Sequence, residues 1–121
     1  MALASELTGA FPPGQATALG GQGTTGITAA GTNSQANSTL LTTGNNVVAT
    51  AAANSGVRLP AAMAGDEVWV YNAGASTMHV YPPVGAGINS GGANAAFDLA
   101  TTVSGVFKFV SSTVIIGQRS A

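Results

Sequence analysis

Hydrophobic and polar positions divide this chain into short segments of strand length, cut by turn residues. The densest stretch is residues 65–83, GDEVWVYNAGASTMHVYPP. Two strands are expected there, over residues 67–72 and 77–81. Val, Trp and Tyr crowd into them, and Gly65-Asp66, Ala73-Gly74 and Pro82-Pro83 bound them. Neither strand alternates apolar with polar. Val68 and Val70 point one way and Trp69 and Tyr71 the other, while Met78 and Val80 oppose His79 and Tyr81. One face suits the chain's own core, and the other calls for a second body. The two strands are expected to pair as a central hairpin, in which one register gathers the four ring residues on one side and the other mixes them. The loop over residues 73–76 does not choose between these registers.

Upstream, strands are expected over residues 37–42, 47–53 and 57–59, between turn clusters at 31–34, 44–46 and 54–56. The Ala-rich tract beginning at Val47 is too short for a stable helix, and Val47, Val48 and Thr50 favour a strand. Pro60 ends that element. Downstream, a Gly-rich loop carries Ile88 as its buried-looking residue, residues 97–99 read as a short strand, and residues 105–117 read as a hairpin about Ser111-Ser112. Phe107 and Phe109 alternate with Val106, Lys108 and Val110, so the Phe pair is expected in the core. No long internal repeat stands out. The pattern predicts an all-β domain over residues 27–121, a small antiparallel β-sandwich or barrel. Residues 1–26 read as an extended N-terminal arm. Pro12-Pro13-Gly14 and Gly20-Gly21-Gln22-Gly23 interrupt it, and Leu3, Leu7, Phe11 and Leu19 are its sizeable apolar anchors. Such a segment orders against a partner, with a short helix over residues 2–7 as an option.

Composition sharpens the need for a partner. The 121 residues make one small domain, and only 6% are charged, against about 25% in an ordinary soluble domain. The net charge of -1 gives little repulsion between copies, which promotes association. Three basic residues cannot track a phosphate backbone, so nucleic acid is not an expected partner. The lack of Cys excludes disulfides and thiolate metal ligands. No apolar run reaches the roughly 20 residues of a membrane helix. The first residues lack the basic start and apolar core of a secretory signal, so synthesis in a cytoplasm is expected.

Candidate chemistry is sparse. Gly21-Gln22-Gly23-Thr24-Thr25-Gly26 matches the letters of a dinucleotide-binding turn. That turn needs a strand before it, a helix after it and an acid about 20 residues on. Pro-Pro-Gly precedes it here, turn formers follow, and the next acid after Glu6 is Asp66, so it reads as a linker. His79 is the only imidazole, and nothing around Ser residues resembles a nucleophile elbow. Asp66 and Glu67 are neighbours and project to opposite sides of a strand, so they form no carboxylate pair. Asn37-Ser38-Thr39 fits a glycosylation acceptor but reads as ordinary strand edge. No enzyme activity, cofactor or metal is expected. The interface candidates are Leu3, Leu7, Phe11, Leu19, Trp69, Tyr71, His79 and Tyr81, since Trp and Tyr concentrate at subunit contacts.

The order of several short pieces adds a resemblance. Val57-Arg58-Leu59-Pro60, Gly65-Asp66-Glu67-Val68, Asn72-Ala73-Gly74, Val80-Tyr81-Pro82-Pro83 and Gly87-Ile88-Asn89, followed loosely by Ala95-Ala96-Phe97 and residues 105–110, resemble a β-rich module of tailed-bacteriophage virion proteins. Such modules occur, often as trimers, in capsid decoration (cement) proteins and in fibre-type proteins. The resemblance implies a virion structural role and leaves the place on the particle open. Shortness and the lack of a fibrous or heptad segment favour a trimeric decoration protein on the capsid surface. Its expected partners are copies of itself and the major capsid protein, whose subunits it would bridge to stabilise the shell. The alternative is a fibre, tail or adhesin-like module with host glycan as a ligand.

Overall fold

The computed structural model describes residues 22–120. The described chain is all-β, with ten strands in two mixed sheets. The six-stranded sheet takes β1 (Gly23–Thr28), β3 (Asn45–Thr50), β5 (Glu67–Asn72), β9 (Ser104–Phe109), β10 (Val114–Arg119) and β7 (Gly87–Ile88), in that spatial order. The four-stranded sheet takes β2 (Thr39–Leu40), β4 (Gly56–Arg58), β6 (Met78–Tyr81) and β8 (Phe97–Leu99).

The first six strands alternate between the sheets, and each lies parallel to the strand two places earlier. Gly23 stands beside Asn45 and Asn45 beside Trp69; in the other sheet Thr39 stands beside Val57 and Val57 beside Val80. The chain therefore winds in coils of 18 to 24 residues, a solenoid-like arrangement rather than an antiparallel sandwich or barrel. This corrects two expectations. Residues 67–72 and 78–81 form strands but not a hairpin, because β5 pairs with β3 and β9 while β6 pairs with β4 and β8. A structural repeat exists where none stood out in the sequence. The strand β1 also starts at Gly23, so within the stretch read as linker Gly23 and Thr24 pair with Asn45 and Asn46, and the ladder is irregular from there to Ile27.

The antiparallel strands complete the stack. The β9–β10 hairpin forms as expected, with Phe107 and Phe109 fully buried, and Phe97 meets Phe107 edge to face at 5.2 Å. Val48, Val68, Val70 and Ile115 from one sheet meet Leu59, Val57, Met78, Val80 and Leu99 from the other. At roughly 25 cal/mol per Å² of apolar surface, this shared inner layer is the main stabilising term. The loop residue Ile88 is buried as expected, within β7.

The corners are built by Asn and by one close approach. Asn33, Asn54, Asn89 and Asn94 all have positive φ, a conformation Asn tolerates better than most residues. The key corner follows β5. Asn72 is fully buried; its amide donates to the carbonyls of Ser76 and Leu99 at 2.9 Å each, and its Oδ1 accepts from the Gly74 N–H at 2.9 Å. Thr101 donates to the Gly74 carbonyl. A Cβ on Gly74 would sit 2.5 Å from the Ala51 nitrogen of the coil behind, so only glycine lets the two corners stack. The loop therefore carries the chain across to the opposite sheet instead of folding it back.

Replacing Asn72 by Ala would remove the side-chain partner of three backbone groups at once, two of them buried and one part-buried. Each uncompensated group costs about 1–3 kcal/mol, so partial relaxation leaves an expected loss of about 3–5 kcal/mol. Urea unfolding of Asn72→Ala should show this as a lower midpoint with little change in slope.

Candidate functional site

Two outward faces carry the residues singled out in the sequence, and the structure separates them. Val68 and Val70 face inward with no exposure, so Trp69 and Tyr71 face outward from the six-stranded sheet, where both are half-buried. Their rings stack with centroids 6.2 Å apart and planes 7° apart. The ladders set their neighbours: Trp69 lies between Asn45 and Val106, and Tyr71 between Val47 and Ser104. Val106, Ile116, Val114 and Val110 are exposed on the same side of β9, β10 and the turn between them.

The only ion pair on this face joins Lys108 to Glu67 at 3.5 Å, among the described residues. Both side chains are more than half exposed, so the pair adds little stability in water. A shallow depression of about 450 Å³ opens beside Trp69, lined by Gly44, Asn45, Glu67 and Val106. It is a dent in a sheet face rather than an enclosed site. The face combines aromatic and aliphatic side chains with the polar Asn45, Ser104 and Gln118 and the Lys108–Glu67 pair.

His79 and Tyr81 lie elsewhere, on the outer side of the four-stranded sheet. They project opposite to the buried Met78 and Val80. Neither hairpin register left open by the sequence is realised, because β5 and β6 belong to different sheets, and the four rings divide between two faces. His79 is held at both nitrogens. Nδ1 lies 2.5 Å from Asp98 Oδ1 across the β6–β8 ladder, and Nε2 lies 2.9 Å from Asn33 Oδ1. A base in a nucleophilic triad needs a hydroxyl or thiol at the second nitrogen; here an amide occupies it.

Tyr81 is 7% exposed and packs edge to face on His79 at 5.8 Å. Its Cε2 would lie 2.8 Å from a Cβ on Gly56, so the ring covers the glycine of the preceding coil. Burial pushes the Tyr81 hydroxyl above its usual pKa, and the Asp98 carboxylate adds to the effect. Arg119 closes the seam between the sheets. Its Nε donates to the Asp98 carbonyl at 2.8 Å, and its guanidinium lies 4.0 Å from the centre of the Phe97 ring. These contacts make the His79 cluster a packed polar patch tying Asn33, β6, β8 and β10 together. Asn33, Asp98 and Arg119 were not singled out in the sequence, and nothing in their local patterns links positions so far apart.

Among the described residues, no three His, Cys, Asp or Glu side chains come together to hold a metal ion. Of the candidates in the N-terminal stretch, Leu3, Leu7, Phe11 and Leu19, as well as the short helix over residues 2–7, lie outside the described residues. Comparison with protein-family models, with curated proteins and with solved structures gives no match.

Tyr81 gives a pH prediction. Its raised folded value means that the unfolded chain ionises first, near pH 10. The stability it contributes is therefore intact below about pH 10 and falls as the pH rises toward the folded value. Thermal unfolding between pH 8 and 11 should show a steeper alkaline decline in the native protein than in Tyr81→Phe.

Proposed function

We propose that this protein is a structural subunit of a tailed-bacteriophage virion, a trimeric decoration (cement) protein on the capsid surface. It bridges major capsid subunits and stabilises the shell through buried contact area, and it performs no chemical step. The observation that carries the reading is the outer face of the six-stranded sheet. Trp69 and Tyr71 stand there beside Val106, with Ile116 exposed farther along. Aromatic anchors with few charges are the composition of an interface centre.

Size limits what this face can do alone. Six strands about 4.8 Å apart and about 20 Å long cover on the order of 500 Å². A stable interface takes roughly 800 Å² from each partner. The N-terminal arm supplies the remainder in this reading, with Leu3, Leu7, Phe11 and Leu19 as single anchors on a neighbour. Weak contacts repeated over many copies on one lattice add up by avidity. The sparse charge fits a surface that spends its life against other protein.

One observation favours a second reading. Parallel coils stacked along one axis suit an elongated fibre, tail or adhesin-like module with host glycan as a ligand. Copy number separates the two: hundreds per particle mean decoration, and a dozen or fewer mean a fibre or tail part.

Light scattering of the purified chain at micromolar concentration should give a trimer mass. Trp69→Ala should shift it toward monomer and weaken binding to undecorated shells by about tenfold or more, as loss of a central aromatic anchor does. A chain that stays monomeric and does not bind shells would contradict the reading.

A further inference from the structure

The outer face of the four-stranded sheet holds a second feature, one row away from the His79 cluster. The ladders set Leu40 beside Arg58 and Arg58 beside Tyr81, across β2, β4 and β6. Val57 and Leu59 are fully buried, so the half-buried Arg58 between them projects outward. Leu40 precedes the buried Leu41, points the same way as Arg58 and is 49% exposed. The Tyr81 ring leans instead over Gly56, two residues before Arg58 on β4. Beside Arg58 a shallow groove of about 240 Å³ runs between Leu40, Leu59, Ala61, Pro83 and Val84. Val84 on its rim is 75% exposed.

Arg58 is also the odd member of a small set of charges. Asp66 accepts from the Met63 N–H, Glu67 pairs with Lys108, Asp98 pairs with His79, and Arg119 donates to the Asp98 carbonyl. Among the described residues, Arg58 is the one charged side chain with no hydrogen bond or ion pair. A chain this poor in charge satisfies the others and leaves this one beside an apolar trough.

Charge and shape together identify the occupant. A guanidinium fork takes a carboxylate through two parallel N–H···O bonds. A phosphate carries more charge than one guanidinium balances, and no Lys or second Arg lines this groove. The groove is smaller than the roughly 300–1,000 Å³ that encloses a small-molecule ligand. It fits one or two side chains of a larger body. Leu40, Pro83 and Val84 supply walls for an aliphatic group next to the carboxylate.

We propose that this groove docks a segment of a partner protein in which an Asp or Glu is flanked by aliphatic residues, its carboxylate paired with Arg58. Arg is among the residues that concentrate binding energy at contact centres, and the apolar side chains around it exclude water from the pair. The groove belongs to the other sheet from Trp69, so the inference stands whether or not the Trp69 face is an interface in a virion.

The probe is acetyl-Leu-Glu-Leu-amide, titrated into the full chain while NMR follows the Arg58 Nε–H and the Leu40 and Val84 methyls. A saturable shift at all three is expected, with a Kd of about 1–10 mM for so small a contact. Acetyl-Leu-Gln-Leu-amide should bind at least about tenfold more weakly, since the guanidinium loses a charged acceptor. Arg58→Met keeps an aliphatic stem and should bind the two peptides equally. No saturable shift, or equal binding of both peptides by the native chain, would overturn the proposal. Without peptide, a change of the Arg58 Nε–H signal in Glu6→Gln would also overturn it, assigning the groove to the chain's own N-terminal residues. A change with protein concentration alone would overturn it in favour of a second copy. The native titration decides even if a variant fails to fold.

Discussion

Everything in this fold depends on the chain returning to the same place after each coil. The parallel registers of the two sheets bring Val57 onto Val80 in one and Val48 beside Asn72 in the other. A slip of one residue in either ladder would turn the inward Val and Leu columns outward. The corners enforce the return. Asn72 satisfies three backbone groups at one bend, and Gly74 lets that bend lie against Ala51 without a side chain between them. Polar corner and apolar layer are one device, since neither sheet could meet the other if the bends did not stack.

That device leaves two outer faces with different jobs. On the four-stranded sheet, His79, Tyr81, Asp98, Asn33 and Arg119 hold one another, so these polar groups are spent on internal contacts. On the six-stranded sheet, Trp69 and Tyr71 stack on each other, Trp69 between Asn45 and Val106 and Tyr71 between Val47 and Ser104. The proposed function follows from this contrast. A chain with so few charges keeps Trp69 and Tyr71 half out of the core, on a face that packing among the described residues leaves open.

Part of this was legible in the sequence. The opposition of Val68 and Val70 to Trp69 and Tyr71, the inward Phe107 and Phe109, and the turn at Ser111-Ser112 are local signals, and each appears in the structure. The pairing of β5 and β6 was misread, because a short loop between two strands usually means a hairpin. Here the side chain of Asn72 and the bare Cα of Gly74 turn the chain to the other sheet, and neither effect shows in hydrophobic pattern. The parallel ladders left little trace because their partners stand 18 to 24 residues apart, and the coils match in inward and outward character more than in letters. The His79 cluster draws on positions 33, 79, 98 and 119, which only the stacking of coils brings together.

The central claim is that another protein surface covers the Trp69 face in the functional assembly. Quenching of Trp69 fluorescence by acrylamide reads this directly, since it is the only Trp in the chain. The account predicts that Trp69 is open to quencher in dilute protein and becomes several-fold less accessible as the protein assembles. Equal accessibility in the dilute and assembled states would contradict it.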